Sequence, residues 1–378
     1  MVTEETPPAA MDKHEHPAGP AYEETRSGAA VLRRRDRQFL AVEGRGPGDM
    51  LKGILTGRIP PPLKAPMDGW SVGEAAYSAI LTPKGKMVTD LRLFPSKGSG
   101  FLLDLPLAGM NGALAHFKKY LNPRFAQLRD RSHEVGMLTV VGPRGLEKLS
   151  EVLGFAVAPP PLGEIHFRSP GLGPDLWLLR NEEVRPPALD LILTLDILEE
   201  VRGFLEEAGA RPLDPGTWDT LRIEAGTPLF GVDMTEDTIP VEAGIQDRAI
   251  DHEKGCYTGQ EVIVRIRDRG QVNKRLRWIF LGDVEVPPKG AELFEAEILL
   301  VGGPGGPADP VDDGSFGGES ASRPPHAGNR VGWITSACRS PRFGQTVAMG
   351  FVKRRVGVGG EVRLGGPQGP SGRVEAIA

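Results

Sequence analysis

Cysteine, aromatic residues and long apolar runs are all scarce in this chain of 378 residues. The two cysteines, Cys256 and Cys338, form no CxxC pair, no zinc-ligand spacing and no dense disulfide framework, which indicates a reducing compartment. No run of about 18 apolar residues occurs, which argues against an ordinary transmembrane helix. The formal net charge of −5 argues against a protein that coats nucleic acid, because such proteins are normally basic. We therefore expect a cytoplasmic protein with no membrane segment, no metal site and no direct nucleic-acid binding.

The chain is too long for one compact core, so its length predicts two or three domains. We predict a disordered tail at 1–25, where proline, glutamate and small residues show neither apolar periodicity nor a secretory signal. A main unit at 26–275 is predicted to be α+β, with two subdomains. Short strand patterns at regular spacing predict a small antiparallel β-barrel at 276–378, interrupted by a flexible glycine-rich insertion at 301–328.

A meander of three strands is predicted from AYSAIL, MVTDLRLF and FLLDLP, because the turn sequences TPKGK and PSKGSG separate them. On the middle strand, alternation places Asp90 on one face with Val88, Arg92 and Phe94. A carboxylate in that position is either half of a structural ion pair or a held acid or base. The spacing alone favours the ion pair.

Helical periodicity predicts a helix over 107–121 with one buried stripe. The stripe consists of Leu107, Met110, Leu114, Phe117 and Leu121. Further along, an α+β layer is predicted from strands near 137–142, 165–168 and 176–180 and helices near 145–154 and 196–208.

Another helix is predicted to begin after an Asp214 N-cap, with proline in the first position, and to end at Gly226. Trp218 belongs to its apolar face. Glu224 lies in the last turn, where the helix dipole disfavours a negative charge by about 0.3–1 kcal/mol. We therefore expect another group to hold this carboxylate, with a salt bridge to Arg222 or simple solvation as the plain alternatives.

The segment KGCYTGQE at 254–261 concentrates more chemistry than any other part of the sequence. A thiol reacts as thiolate, and a nearby cation in a partly open site favours that form. Lys254 can supply the cation, and Gly255 and Gly259 permit turns that present the sulfur of Cys256. The alternative is a small buried cysteine, which is what most free cysteines are. We favour a presented thiol that lies beside a ligand pocket.

The sequence resembles the YgfZ family, folate-binding relatives of the glycine-cleavage T-protein that are linked to iron–sulfur cluster assembly and tRNA modification. The resemblance covers roughly residues 30–280 and, more loosely, 336–354. It rests on KGCYTGQE at 254–261, RGQVNKRL at 269–276, SAILTPKGKMVTDLRLF at 78–94, WDTLRIEAGTPLFGVDM at 218–234 and PVEAG at 240–244. It implies a multidomain T-protein-like fold with antiparallel sheets and a C-terminal barrel, and tetrahydrofolate or a one-carbon derivative as cofactor.

The resemblance also implies roles for individual residues. Asp90 matches the catalytic aspartate of the T-protein, Glu224 matches a pterin-binding glutamate, and Trp218 matches a tryptophan associated with folate binding. A carboxylate can accept two adjacent pterin N–H groups, and an indole can stack on the flat ring. A second folate-associated tryptophan of the family is absent here: position 37 is arginine, and Phe39 is the closest aromatic residue.

Two further residues are assigned to cofactor binding. Tyr257 is adjacent to the thiol, and Arg265 belongs to a predicted strand, VIVRIR, on which it alternates with Arg267 and Arg269. Such a charge stripe is normally solvated. It could otherwise bind the polyglutamate tail of folate or an RNA backbone. Of these two, RNA is disfavoured because no aromatic residues are interleaved with the arginines.

Three functions follow from these patterns. The leading one is a folate-binding factor that assembles or repairs iron–sulfur client proteins through Cys256, with indirect effects on tRNA modification. Because a [4Fe–4S] cluster needs about four thiolates, any cluster contact must be shared or transient. The enzyme alternative is a T-protein-like aminomethyltransferase, in which Asp90 orients or exchanges a proton with the reacting amine. The third is a folate-sensing scaffold without chemistry.

Overall fold

The structure is a computed structural model that describes residues 19–65, 69–169, 175–296 and 328–377, with the side chain of Arg269 omitted. Its strands are β1 (Ala30–Arg33), β2 (Arg37–Gly44), β3 (Ser71–Glu74), β4 (Ala76–Leu81), β5 (Met87–Pro95), β6 (Phe101–Pro106), β7 (Ala126–Asp130), β8 (Val135–Val141), β9 (Glu164–Arg168), β10 (Leu176–Asn181), β11 (Ala188–Thr194), β12 (Arg211–Pro212), β13 (Lys274–Gly282), β14 (Glu292–Glu295), β15 (Arg330–Ser340), β16 (Gln345–Lys353), β17 (Glu361–Leu364) and β18 (Ser371–Glu375). Its α-helices are α1 (Pro20–Ser27), α2 (Pro47–Ile54), α3 (Met110–Tyr120), α4 (Gly145–Leu153), α5 (Leu195–Glu207), α6 (Pro215–Ala225), α7 (Pro240–Ala243), α8 (Gln246–Ala249) and α9 (Gln260–Arg269). No helix of the described part of the chain is long and apolar enough to cross a membrane.

The predicted meander lies within a five-stranded sheet of order β4-β5-β6-β2-β7. Strand β5 pairs antiparallel with β4, and Ala79 stands opposite Asp90. One face of this sheet is covered by α2 and α3, whose apolar residues share a core with Leu91 and Leu93. Since successive side chains alternate, Asp90 and Arg92 point away from that core.

A seven-stranded sheet of order β12-β1-β8-β11-β10-β9-β3 forms the second layer. Its central strands, β8 and β11, pair antiparallel along seven residues. Helices α4 and α5 pack on one face, and the other face shares a core with the first sheet through Phe94 and Trp177. The α+β class is therefore confirmed.

The C-terminal part closes into a barrel of order β13-β16-β15-β14-β17-β18, as predicted. It begins at Lys274, next to the predicted boundary at 276. Helix α6 packs against β15 and β16, so the barrel contacts the layer that contains the second sheet. The predicted insertion at 301–328 lies outside the described residues except for Gly328.

Several local predictions are wrong. Residues 20–25 were predicted to be disordered, yet they lie in α1, where Tyr22 is only 3% exposed; residues 1–18 lie outside the described residues. Leu107, predicted to be core, is 56% exposed because the α-helix starts only at Met110. Strand β11 was not predicted.

Segment VIVRIR belongs to α9 and not to a strand. Its β-branched residues alternate with arginines, which is the pattern of a half-buried strand. Gly259 precedes the helix with φ of 85°, and a Cβ there would lie 2.5 Å from the carbonyl oxygen of Thr82. The helix therefore begins at a left-handed glycine and exposes the charged side chains.

Candidate functional site

A cavity of about 340 Å³ lies where β4, β5, α6, α8 and the segment after β10 meet. This volume is within the range of small-molecule sites, about 300–1,000 Å³. Three kinds of side chain line the cavity: the arginines Arg34, Arg37, Arg92, Arg180, Arg222 and Arg248, the acids Asp90, Glu182 and Glu183, and the aromatic residues Tyr77 and Trp218. Carboxylates outside the lining pair with Arg34, Arg37, Arg92 and Arg222, so the cavity presents a dense array of held guanidinium groups and not simply an excess of positive charge.

Asp90 is the carboxylate that most resembles a working acid or base. Its side chain is 6% exposed, and its Oδ2 accepts a 2.7 Å hydrogen bond from the Tyr77 hydroxyl. Its Oδ1 is buried and has no hydrogen-bond donor among the described residues. Burial raises the pKa of Asp90, although the charge of Arg37 and the bond from Tyr77 oppose this. A buried carboxylate oxygen without a donor is costly, so a ligand is the natural partner.

Beneath Asp90, a buried ion network joins the two sheets. Arg92 donates to Asp104 of β6 at 2.7 Å and to Asp190 of β11 at 2.6 Å. Arg37 donates to the other oxygen of Asp104 at 2.7 Å. Both aspartates are fully buried, so the network holds the two arginine side chains rigidly at the cavity wall. Asp104 and Asp190 were not predicted, although a single acid inside FLLDLP or ALDLILT is a usable signal.

Trp218 lines the cavity, as the resemblance implied for a folate-associated residue. The guanidinium carbon of Arg34 lies 4.3 Å from the centre of the indole ring, so one face of the indole is already covered by a cation. Trp218 is 7% exposed. The part of the ring that a ligand can reach is therefore limited, and its role in folate binding remains a prediction.

Glu183 is another carboxylate of the cavity wall, and it accepts hydrogen bonds from Arg34, the same residue that covers Trp218. Its Oε2 accepts two 3.2 Å hydrogen bonds from Arg34. Burial alone would raise the pKa of Glu183, but Arg34, Arg92 and Arg37 hold it well below its usual range. Glu183 therefore stays ionised. It was missed by the sequence reasoning, which treated the segment after β10 as a connection.

Glu224 lies elsewhere, and its predicted contact with a pterin does not fit the structure. Its carboxylate is fully buried and accepts hydrogen bonds from the Tyr22 hydroxyl at 2.8 Å, the Ser340 hydroxyl at 2.5 Å and the backbone N–H of Arg342 at 3.0 Å. It does not line the cavity. Helical geometry explains this: Trp218 and Arg222 are four residues apart and share a side, whereas Glu224 is two residues further and points towards the barrel.

Cys256 is a free, exposed thiol, as predicted, but it does not line the central cavity. The structure therefore does not place this thiol in the wall of the central cavity. The loop that carries it is tied to the end of α2, since Lys254 Nζ donates to the carbonyl oxygens of Leu55 and Gly57 and Thr258 N donates to Gly53 O. This anchoring presents the sulfur at the surface, away from the cavity.

Lys254 anchors the loop through the same two carbonyl groups. Burial lowers the pKa of Lys254 to about 8, while the nearby Asp251 opposes the shift. The predicted role of Lys254 as the cation that activates Cys256 is not supported, because its ammonium group is directed to the backbone of residues 55 and 57. Cys338 is buried in the barrel, where burial raises the pKa of its thiol to about 12, and it is not bonded to Cys256.

Tyr257 and Arg265, the other two predicted cofactor-binding residues, lie outside the lining of the central cavity. Tyr257 is 7% exposed within a hydrophobic core that includes Leu81 and Met87, and burial raises its pKa to about 12. Arg265 lies on the exposed side of α9 and pairs with Glu261 at 2.8 Å, one helical turn away. Neither residue lines the cavity.

Comparisons with known proteins agree with this architecture. Residues 311–370 match the family described as the glycine cleavage T-protein C-terminal barrel domain. The chain is 28% identical to an aminomethyltransferase of Rubrobacter xylanophilus over 293 residues, which are 77% of this chain and 69% of the relative. It is also 28% identical to an aminomethyltransferase of Thermosynechococcus vestitus over 284 residues, which are 74% of this chain and 67% of that relative.

Among solved structures, the chain is similar to the glycine cleavage system aminomethyltransferase T from Bartonella henselae. The TM-score is 0.74 at 20% sequence identity, and the match covers 94% of this chain and 88% of the other. This confirms the predicted multidomain T-protein fold, with antiparallel sheets and a closed C-terminal barrel. The relatives carry the name of the enzyme alternative and not of the iron–sulfur factor.

Proposed function

We propose that this protein binds tetrahydrofolate in the central cavity and catalyses the transfer of an aminomethyl-derived one-carbon unit to it. The observation that carries the proposal is the buried carboxylate of Asp90, a residue that lines the cavity and whose Oδ1 has no donor among the residues the structure describes. The similarity to proteins named aminomethyltransferase supports the same reaction class.

The lining of the cavity fits the chemistry of a folate. A pterin offers adjacent N–H donors, which the ionised carboxylate of Glu183 can accept, and its ring is complementary to the accessible part of Trp218. The glutamate carboxylates of a folate suit the arginines, of which Arg222 has a buried Nη2 without an acceptor in the described chain. When bound, tetrahydrofolate would supply the two amine nitrogens that bond to the one-carbon unit, while the carbon–sulfur and carbon–nitrogen bonds of the aminomethyl group break and release the lipoyl thiol and ammonia.

Asp90 is the residue proposed to handle the proton. Its raised pKa leaves it closer to neutrality than an exposed aspartate, so it can both accept and return a proton near its own oxygen. Tyr77 holds the carboxyl group through Oδ2 and leaves Oδ1 without a donor from the described residues, so Oδ1 is the oxygen proposed to exchange the proton. Arg92, held by Asp104 and Asp190, keeps the strand and the cavity wall in place.

The experiment compares Asp90→Asn with the purified wild-type protein. An aminomethyl-carrying lipoyl protein and tetrahydrofolate are supplied, and methylenetetrahydrofolate is measured. We expect Asp90→Asn to lower the rate by about 10²–10⁴-fold while tetrahydrofolate affinity, measured by calorimetry, changes little. Asp283→Asn is the control, since Asp283 is a surface carboxylate 91% exposed. Absence of product with the wild-type protein, despite folate binding, would remove the transferase proposal.

A second candidate rests on the exposed Cys256, because a presented thiol suits transfer or redox chemistry on a client protein. In this candidate the protein acts on iron–sulfur client proteins, and effects on tRNA modification are indirect. Cells that carry Cys256→Ser should then lose activity of iron–sulfur enzymes, while folding and folate affinity of the purified variant stay unchanged. Normal iron–sulfur enzyme activity in those cells would leave the transferase as the sole candidate.

A further inference from the structure

A second concave site lies outside the central cavity and shares no lining residue with it. It is a cleft of about 270 Å³ lined by Arg26, Arg185, Pro186 and Arg342. Arg26 comes from the last turn of α1, Arg185 from the connection between β10 and β11, and Arg342 from the turn between β15 and β16. Three segments that are distant in sequence therefore each contribute one guanidinium group to the same opening.

Two of these arginines are positioned by backbone carbonyl groups. Arg185 Nη1 donates to the carbonyl oxygens of Glu182 and Val184 at 3.1 and 3.2 Å. Arg342 Nη1 donates to the carbonyl oxygen of Glu224 at 3.1 Å. A guanidinium group has five N–H donors, so each keeps donors free for a ligand.

None of the three arginines forms a salt bridge with a carboxylate within the described residues, in contrast to Arg33, which pairs with Glu199. The carboxylate of Glu224, the residue whose carbonyl oxygen holds Arg342, accepts hydrogen bonds from Tyr22, Ser340 and the backbone N–H of Arg342 and forms no ion pair with the three arginines. The cleft is therefore lined by three guanidinium groups that have no ion-pair partner among the described residues. The free energy of this cluster falls when a dianion binds.

We propose that this arginine cleft is a binding site for the phosphate group of a small phosphorylated ligand. Guanidinium forks match the oxygen pairs of phosphate, and a dianion balances the local charge. A small opening lined by three arginines suits a small ligand, whereas nucleic acid needs an extended basic surface. The net charge of −5 for the whole chain also argues against nucleic-acid binding. The cleft adds a binding function that does not depend on the chemistry of the central cavity.

The test uses the full-length protein and pyrophosphate as the probe, in isothermal titration calorimetry at low ionic strength. We expect Arg185→Gln and Arg26→Gln each to weaken pyrophosphate binding by about tenfold, and the double variant by more. Arg342 also donates to the backbone carbonyl of Glu224, so Arg342→Gln could destabilise the fold. Its pyrophosphate affinity is therefore interpreted only if its thermal unfolding curve matches that of the wild type.

Two controls separate this cleft from other cationic positions. Arg339→Gln removes a surface arginine of β15 that pairs with Asp283 at 2.8 Å, and it should leave pyrophosphate affinity unchanged. Arg180→Gln removes a charge from the central cavity and should also leave it unchanged. The proposal is overturned if millimolar pyrophosphate does not bind, or if the cleft variants bind as tightly as the wild type. It is also overturned if a short single-stranded RNA binds through these arginines while pyrophosphate does not.

Discussion

Removing the Glu224 carboxylate should lower the free energy of unfolding without directly affecting the proposed ligand site. The side chain is fully buried and joins three parts of the chain, because Tyr22 of α1, Ser340 of β15 and the backbone of Arg342 all donate to it. In Glu224→Ala these three donors lose their acceptor inside the protein. A hydrogen bond to a charged group contributes about 1.5–3 kcal/mol, and the contributions are not additive.

The expected loss in the free energy of unfolding is about 3–5 kcal/mol, the cost typical of breaking a buried charged contact from one side. With an unfolding entropy of about 2.1 cal/mol/K per residue, this lowers the melting temperature by roughly 4–6 °C if the chain unfolds cooperatively. Tyr22→Phe removes only the 2.8 Å bond and should cost about 1–2 kcal/mol. Glu207→Ala changes an exposed glutamate of α5 and should have no measurable effect.

Thermal and urea unfolding followed by circular dichroism measure the loss, and calorimetry with tetrahydrofolate measures ligand binding at a temperature where the variant is folded. The expected outcome is reduced stability with folate affinity within about twofold of the wild type. If Glu224→Ala instead loses folate binding while its melting temperature stays the same, Glu224 contacts the pterin, as the sequence resemblance implied, and the structural role described here is refuted.

Three further predictions concern separate parts of the molecule. Gly226→Ala should lower the melting temperature by several degrees, because Gly226 ends α6 with φ of 72° and a Cβ there would lie 2.8 Å from the ring of Trp278. Gly282→Ala is the control: Gly282 also has positive φ but has open space around it, so the melting temperature should decrease less. His116 is buried, and burial lowers its pKa to about 4, so its contribution to stability is complete above the ordinary pKa of about 6.5 and is lost as the pH falls through 4. Between pH 7 and pH 4, the melting temperature of His116→Gln should therefore fall less than that of the wild type. Equal decreases in melting temperature would contradict the assignment. Under native conditions one thiol should react rapidly with a disulfide reagent, and Cys256→Ser should abolish that reaction while Cys338→Ser leaves it intact; two fast thiols would show that the barrel opens.

Much of the secondary structure follows from local sequence. Strand β13 coincides with KRLRWIFLG, and α6 begins and ends at the residues that its aspartate cap and terminal glycine predict. The errors arise where tertiary contacts override local preference. VIVRIR has the composition of a strand, but it is helical, and its Ile263 packs into a core with Leu81 and Met87, which are distant in sequence.

The residues of the candidate site also divide into those that local sequence predicts and those that only tertiary packing brings together. Asp90 and Trp218 could be placed from strand alternation, helix spacing and the resemblance, since these depend on neighbours along the chain. Their surroundings could not: Arg34, Arg92 and Glu183 come from the segment after β1, from β5 and from the segment after β10, and only the packing of two sheets brings their charges together. Glu224 and Cys256 show the opposite case: their local motifs predicted a place at the ligand site, but the fold directs Glu224 to the contact with the barrel and Cys256 to the surface. Local sequence determines which residues can carry chemistry, and the long-range packing of sheets, helix and barrel determines which of them meet.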